Sequence, residues 1–218
     1  MKLFSAGVLA VALGTSLNAS VIISSFPQSS SGGFLLNGSP AFNDAVGFTM
    51  GATSFQLDSV TIRFTTEGIA TFASNQVFAD LYGGTGGGSG VPTGSPLVGL
   101  TTGAATIFDD TELTYTPASA FTLTANTTYW IVLHASDTVT AHLGWATAAN
   151  APTGPFAVSE GEAQASDLPP SSHNNGSPMM YQVDGTPVTG AAAPEPGTTL
   201  LFAAGVVALA LRRRVGRK

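Results

Sequence analysis

Thr128-Tyr-Trp-Ile-Val-Leu-His-Ala135 is the stretch of sequence that decides the fold. Its centre is continuously apolar and holds aromatic and β-branched residues, which is typical of a β-strand covered on both faces. A second stretch, Ser59 to Phe64, alternates polar residues with Val60, Ile62 and Phe64. That period of two predicts a strand with one buried face. The two patterns together favour β structure over helix.

Weaker strand patterns recur along the chain, separated by clusters of Gly, Pro, Asn and Ser. They cover Val21–Ser24, Val46–Met50, Gln76–Tyr82, Glu112–Tyr115, Phe121–Thr124, His142–Thr147 and Met179–Val183. Between the two ends of the chain, no segment offers ten good helix formers with caps. We therefore predict an all-β fold of about nine strands, a β-sandwich of jelly-roll type over residues 20–185.

Three connections stand out in this body. Gly83–Pro96 holds seven glycines and reads as a flexible loop, because a phosphate-binding loop would need a Gly-Lys-Ser/Thr sequence and a following helix. Ala149–Asn175 is long and contains four prolines, so it is either functional or a surface excursion. Thr186–Ala193 is a Pro/Gly/Ala linker with little to pack.

The first 19 residues have the organisation of a secretory signal peptide. Lys2 precedes the apolar run Leu3–Leu13, and small or polar residues follow up to Ala19, after which we place the cleavage. The alternative is an N-terminal core strand or helix. The apolar run is too short to span a membrane unaided.

The last 25 residues have three parts in a fixed order. Pro194, Glu195 and Pro196 come first, the apolar run Leu200–Leu211 follows, and a basic end contains Arg212, Arg213 and Arg214. The run predicts a single hydrophobic helix of roughly 22 Å at most, which is short against a hydrocarbon core of about 30 Å. The arginines form a membrane stop that holds the extreme end in the cytoplasm.

This arrangement resembles the PEP-CTERM sorting signal of Gram-negative bacteria, and we assign residues 194–218 to it. The resemblance implies recognition by an exosortase, a membrane-embedded cysteine transpeptidase, and cleavage near Pro194-Glu195-Pro196. The chain would then be anchored only transiently in the inner membrane before release or transfer to the surface. The alternative is a plain C-terminal membrane anchor.

The charge of the body limits its partners. Residues 20–193 contain twelve of the thirteen acidic residues and a single basic one, Arg63, for a net charge of −11. This composition excludes the basic footprint of a nucleic-acid-binding protein. The chain has no cysteine, so the exported domain must be held together by its core rather than by disulfides.

The body is also similar to the choice-of-anchor R domains. Residues 121–133, Phe-Thr-Leu-Thr-Ala-Asn-Thr-Thr-Tyr-Trp-Ile-Val-Leu, carry the resemblance, and Leu57–Ile62 and Gly144–Thr147 fit the same domain. These domains precede varied C-terminal surface anchors. The resemblance implies no catalytic residues.

The sequence offers few candidates for a metal site. His134, His142 and His173 lack the spacing of a zinc motif, although the first two could flank one hairpin and share a metal. Asp109, Asp110 and Glu112 cluster three carboxylates in a turn. Such oxygen ligands suit Ca²⁺, but the spacing of an EF-hand is missing, so a solvated acidic turn is the alternative.

Aromatic residues and nucleophiles complete the candidates. Trp130, Trp145, Tyr129 and Tyr181 could form a sugar-stacking platform, but the apolar surroundings of Trp130 favour core packing. No nucleophile elbow occurs, since Ser89 has Val91 where the motif requires glycine.

Three functions fit these observations. The first is an exported structural or interaction protein, placed at the cell surface or in the extracellular polysaccharide matrix after processing. The second is a carbohydrate-binding module of the envelope or exopolysaccharide. The third is a hydrolase with a dispersed active site, which no residue pattern in the sequence supports. We expect the first, without enzymatic activity and without a required cofactor.

Overall fold

The computed structural model describes residues 18–35, 43–66, 70–72, 76–135, 143–174 and 176–188. These residues form fifteen β-strands, all paired antiparallel, and contain no helix, which confirms the all-β prediction. The strands are β1 (Ser20–Ser24), β2 (Gly32–Leu35), β3 (Asn43–Met50), β4 (Phe55–Thr66), β5 (Ala70–Phe72), β6 (Val77–Gly84), β7 (Pro92–Thr101), β8 (Ala105–Ile107), β9 (Thr111–Pro117), β10 (Thr122–Leu123), β11 (Thr128–Ala135), β12 (Leu143–Thr147), β13 (Ala157–Ala165), β14 (His173–Asn174) and β15 (Tyr181–Pro187).

Thirteen of these strands form one large antiparallel sheet, and β5 pairs with β8 in a small separate one. The order in the large sheet is β1-β15-β4-β9-β7-β6-β11-β3-β13-β14, with β10 and β12 also pairing with β4 and β2 pairing with β12. The joint between β9 and β7 is only two residue pairs long, Leu100 with Pro117 and Thr101 with Thr116. The sheet therefore has two arms, the β4 arm (β1, β15, β4, β9) and the β11 arm (β7, β6, β11, β3, β13, β14).

The two arms face each other across the main core. Alternate residues of the central strand of each arm enter this core, and all are at most 3% exposed: Val60, Ile62 and Phe64 from β4, and Tyr129, Ile131 and Leu133 from β11. Because β4 and β11 are not neighbours in the sheet, these residues meet face to face rather than side by side. Burial of each such side chain contributes about 1.5–3 kcal/mol to folding.

The intervening residues of β11 form a second, smaller cluster on the opposite face of that arm. Trp130 is fully buried there with Val132, next to Tyr82 and two alanines. This confirms that Trp130 is shielded, although it lies outside the main core. A Cβ atom at Gly84 would lie 2.6 Å from the indole nitrogen, and one at Gly47 would lie 2.7 Å from the ring. Both glycines are needed for the strands to approach the ring this closely.

Two segments predicted as loops contain strands, and those predictions were wrong. Gly83 and Gly84 end β6 and pair with Thr93 and Pro92 at the start of β7, inside the segment predicted as a flexible glycine loop. The segment predicted as a long connection, 149–175, contains β13, which pairs with β3 along its whole length, and β14. These strands are held by backbone hydrogen bonds. Their sequences lack the alternation of apolar and polar residues on which the strand predictions relied.

The predicted targeting segments fall largely outside the described residues. Residues 1–17 of the predicted signal peptide and the hydrophobic run Leu200–Leu211 are not described, while β1 begins at Ser20. β15 continues through Thr186 and Pro187, two residues into the predicted linker, and the chain divides into two units after Pro187. Within the described residues, no helix has the length and apolar character needed to cross a membrane.

Candidate functional site

A cavity of about 310 Å³ is lined by residues of the paired strands β13 and β14 and of segments near them, and we call it the Glu162 cavity. Its wall combines one carboxyl group, an imidazole, a carboxamide and a hydroxyl with small apolar residues. The lining residues are Ala151, Ser159, Gly161, Glu162, His173, Asn174, Gly176 and Pro178. A β-bulge between Ser159 and Gly161 shapes this wall.

Glu162 faces inwards because of its register with β3. It lies opposite Val46, a residue of the main core, whereas the next residue, Ala163, belongs to the second cluster. Glu162 is only 5% exposed, and its Oε1 atom accepts a hydrogen bond from the backbone N–H of Met179 at 3.1 Å. Burial raises the pKa of Glu162 to about 7; the Met179 hydrogen bond opposes this shift and the nearby Asp44 adds to it.

Asp44 lies behind Glu162 on the same face of the sheet. It stands two residues before Val46 in β3 and opposite Gln164 in β13, and it is fully buried. Within the described part of the chain, neither of its carboxylate oxygens has a hydrogen-bond partner of acceptable geometry. Burial raises the pKa of Asp44 to about 7, and the Gln164 side chain offsets that shift only in part.

Tyr181 adds a third polar side-chain group to this region, after Glu162 and Asp44. Its ring is part of the main core, yet its buried hydroxyl makes no hydrogen bond of acceptable geometry to the described residues. Burial raises the pKa of Tyr181, and the negative charge of Glu162 raises it further. The region therefore combines two carboxyl groups with a phenol, and none of the described residues that line the cavity is a lysine or an arginine.

The acidic turn predicted as a calcium site does not gather its carboxylates. Asp109 accepts a hydrogen bond from the Thr65 hydroxyl at 2.7 Å, and Glu112 is paired with Arg63. Asp110 stands in the left-handed region with a φ of 61°. Nowhere in the described part of the chain do three or more His, Cys, Asp or Glu side chains converge to hold a metal ion.

The three histidines have separate surroundings. His134 pairs with Asp80, with 3.0 Å between Nε2 and Oδ2, and its ring stacks on Phe78. His142 lies outside the described residues, so the predicted pairing of His134 with His142 across a hairpin stays a prediction. His173 belongs to the Glu162 cavity, where Nδ1 lies 3.2 Å from the carbonyl oxygen of Gly90.

The four aromatic residues considered as a sugar platform are all buried. Trp130, Trp145, Tyr129 and Tyr181 are at most 3% exposed. Trp145 lies in the main core and donates its indole N–H to the carbonyl of Met180 at 2.9 Å. These residues therefore offer no exposed surface on which a sugar ring could stack.

Sequence reasoning missed Asp44, Glu162 and the cavity beside them. A signal was present for Asp44, because it continues the two-residue period of Val46 and Phe48 and so occupies a core-facing position. An acid at such a position predicts a buried carboxyl group. For Glu162 no signal existed, since the bulge that sets its direction is not visible in the sequence.

The sorting residues identified from the sequence lie outside the described part of the structure. They comprise Pro194, Glu195, Pro196 and the membrane stop Arg212, Arg213 and Arg214. The family model of the PEP-CTERM protein-sorting motif matches residues 192–214, which include all six. This motif implies exosortase-dependent sorting of an exported protein that is processed at its C-terminus. No curated protein matches the chain.

Proposed function

We propose that the chain is an exported structural or interaction protein that exosortase processing delivers to the cell surface or to the extracellular polysaccharide matrix. The match of the sorting motif to residues 192–214 carries this proposal. The body is consistent with it, because an acidic, cysteine-free, all-β domain suits an extracellular setting. Extracellular polysaccharide is the proposed partner, and no enzymatic activity is assigned to the body.

The proposal gives each end of the chain a removable role. Residues 1–19 direct export as a signal peptide, and the start of β1 at Ser20 supports a cleavage after Ala19. Leu200–Leu211 holds the chain transiently in the inner membrane until the exosortase cleaves near Pro194-Glu195-Pro196. The arginines that follow keep the extreme end on the cytoplasmic side.

The jelly-roll classification and the choice-of-anchor R resemblance belong to the same proposal. A jelly roll is a long hairpin of paired strands wrapped into two Greek keys, so its eight strands pair first with eighth, second with seventh, third with sixth and fourth with fifth. The strands β1, β3, β4, β6, β7, β9, β11 and β15 pair in that pattern. The distinctive residues 121–133 of the resemblance include β10 and most of β11.

Replacing Pro194, Glu195 and Pro196 by alanine tests the sorting role. We expect the variant to accumulate at full length in the inner membrane fraction, whereas the parent is shortened and leaves it. The substitution Val188→Ala, at an exposed residue directly after β15, is the control and should be processed like the parent. Intact-mass analysis of membrane and exported fractions measures both. Normal processing of the alanine variant would contradict the proposal.

A further inference from the structure

The Glu162 cavity has an acceptor available to a ligand. Oε1 of Glu162 accepts a hydrogen bond from the N–H of Met179, and among the described residues Oε2 makes no hydrogen bond. Ser159 and Asn174 contribute neutral polar groups to the same wall, each able to donate and to accept. One strong acceptor and several neutral groups suit a ligand that carries one cationic donor and several hydroxyls.

The sign of the charge near the cavity is negative. Arg63 is the only lysine or arginine in residues 20–193, and it is held by Glu112 and by the carbonyl of Gln28, to which it donates at 2.8 Å. Asp44, fully buried behind Glu162, has no hydrogen-bond partner of acceptable geometry among the described residues on either oxygen. An anionic ligand would meet two carboxyl groups without a lysine or arginine to compensate them.

The volume of the Glu162 cavity and its lining residues limit the class of ligand further. A volume of about 310 Å³ is at the lower end of small-molecule sites, which suits a single sugar-sized ring. None of the described residues that line the cavity is a phenylalanine, tyrosine or tryptophan, so recognition rests on charge and hydrogen bonds rather than on stacking. No set of three His, Cys, Asp or Glu side chains in the described residues is placed to hold a metal, which argues for an organic cation.

We propose that the Glu162 cavity binds an amino sugar, a monosaccharide-sized ligand whose primary ammonium group pairs with Oε2 of Glu162. Ser159 and Asn174 hydrogen-bond the sugar hydroxyls, and the carboxyl group of Asp44 strengthens the negative potential behind the ammonium. The inference does not depend on the sorting role of the C-terminus, because the cavity lies within the described β-strand body.

Binding by this site depends on pH. Burial raises the pKa values of Glu162 and Asp44 to about 7, so both are largely neutral at pH 5.5 and become charged above neutrality. The other titratable groups facing this region are Tyr181 and His173, with Glu160 near Tyr181. A sugar amine remains partly protonated near pH 7.2, by analogy with an α-amino group. The complex should therefore form best near neutrality and weaken towards pH 5.5.

Titration of the full chain, purified in a mild detergent, with glucosamine, N-acetylglucosamine and ethanolamine at pH 7.2 tests the inference. We expect glucosamine to bind at least tenfold tighter than N-acetylglucosamine, whose amine is blocked, and at least fivefold tighter than ethanolamine, which lacks the ring. Lowering the pH to 5.5 should weaken glucosamine binding at least fivefold. Equal binding of glucosamine and N-acetylglucosamine, or none of glucosamine, would overturn the inference. Equal binding of ethanolamine would overturn its sugar part.

Two variants assign the binding to this cavity. Glu162→Gln keeps an acceptor for Met179 but removes the charge, and should weaken glucosamine binding at least tenfold. Glu160→Gln makes the same charge change two residues away, where the carboxylate accepts a hydrogen bond from Gly87 instead, and should bind like the parent. Asn174→Leu blocks the cavity from a partly exposed position and gives a second test that leaves Glu162 intact. Parent-like binding by Glu162→Gln or Asn174→Leu, each with a native NMR spectrum, would refute the assignment.

Discussion

The indole N–H of Trp130 donates a hydrogen bond to the backbone carbonyl of Thr85, with 3.1 Å between nitrogen and oxygen. Thr85 directly follows β6, at the start of the glycine-rich turn, so this bond fixes the turn to β11, the central strand of its arm. The ring itself lies against Gly84 and Gly47. The contacts of Trp130 with Thr85, Gly84 and Gly47 therefore both bury the tryptophan and position the turn.

A side chain at Gly84, beside the indole of Trp130, should destabilise the fold. We expect Gly84→Ala to lower the free energy of unfolding by about 1–3 kcal/mol, since the added methyl would overlap the ring and the carbonyl of Val91. Gly88→Ala is the matched control, because a Cβ there meets nothing within 4 Å. Denaturant unfolding of the full chain measures both. Equal midpoints for the two variants would contradict the packing described for Trp130.

Arg63, on β4, connects that strand to β9 and to the segment before β2. It pairs with Glu112, donates to the carbonyl of Gln28 at 2.8 Å and lies over the ring of Phe26, 4.8 Å from its centroid. We expect Arg63→Met, which keeps an apolar stem, to lower the free energy of unfolding by about 1–2 kcal/mol. Glu112→Gln should cost less than about 1 kcal/mol, because the Glu112 side chain is 45% exposed. Thermal melts compare them, and a larger loss from Glu112→Gln would be the contrary result.

Asp44 should make stability fall as the pH rises. Its pKa is raised from 3.8 to about 7 in the folded chain, so folding favours the protonated carboxyl. The stabilisation is fully present below pH 3.8 and is lost as the pH rises through about 7. A shift of about three pKa units corresponds to roughly 4 kcal/mol at most. Asp44→Asn should remove the contribution of Asp44 and leave that of Glu162, whose pKa is also raised to about 7. The variant should therefore be more stable than the parent at pH 8 and similar to it at pH 4.

The control for this pH dependence is Asp110→Asn. Asp110 is exposed, and asparagine tolerates its left-handed backbone, so the variant should follow the parent at every pH. Urea unfolding from pH 4 to pH 8 provides the comparison. A parent that loses no more stability than Asp44→Asn between pH 5 and pH 8 would refute the account.

Calcium should act weakly at the acidic turn. Asp109 is bonded to Thr65 and Glu112 to Arg63, so a bound ion would have to displace both partners. We expect millimolar Ca²⁺ to change the melting temperature of the full chain no more than the same concentration of Mg²⁺. A rise specific to Ca²⁺ that disappears in Asp109→Asn would restore the calcium site.

The sequence predicted the strands whose side chains alternate or are uniformly apolar. β11 has the bounds that its apolar run gives, and β4 contains the alternating stretch around Val60 but extends from Phe55 to Thr66. β7 was missed because Gly94, Ser95 and Pro96 lie within it and are usually strand breakers. At its start, Pro92 and Thr93 pair with Gly84 and Gly83 at the end of β6, and the register then shifts before Val98.

The site was harder to predict than the fold. The sorting motif is a local sequence pattern, so it could be identified without any structure. The Glu162 cavity instead depends on a bulge at Gly161, whose φ is 89°, and on the pairing of β13 with β3, which is distant in the chain. Non-local pairing of this kind determines which residues of a strand face inwards, and no short stretch of sequence contains that information.

The pairing of β1 with β15 also determines when the domain can be completed. Ser24 donates its hydroxyl to the side chain of Gln182 at 3.1 Å, across 158 residues of sequence. In a chain exported from its N-terminus, β1 crosses the membrane first and β15 last. For most of translocation, β1 is therefore outside without the strand with which it pairs. Contacts between such distant residues also form slowly, because a long loop must close before they are made. Folding of this body should therefore finish only after its last strand has crossed the membrane, when the sorting signal is the next segment to follow.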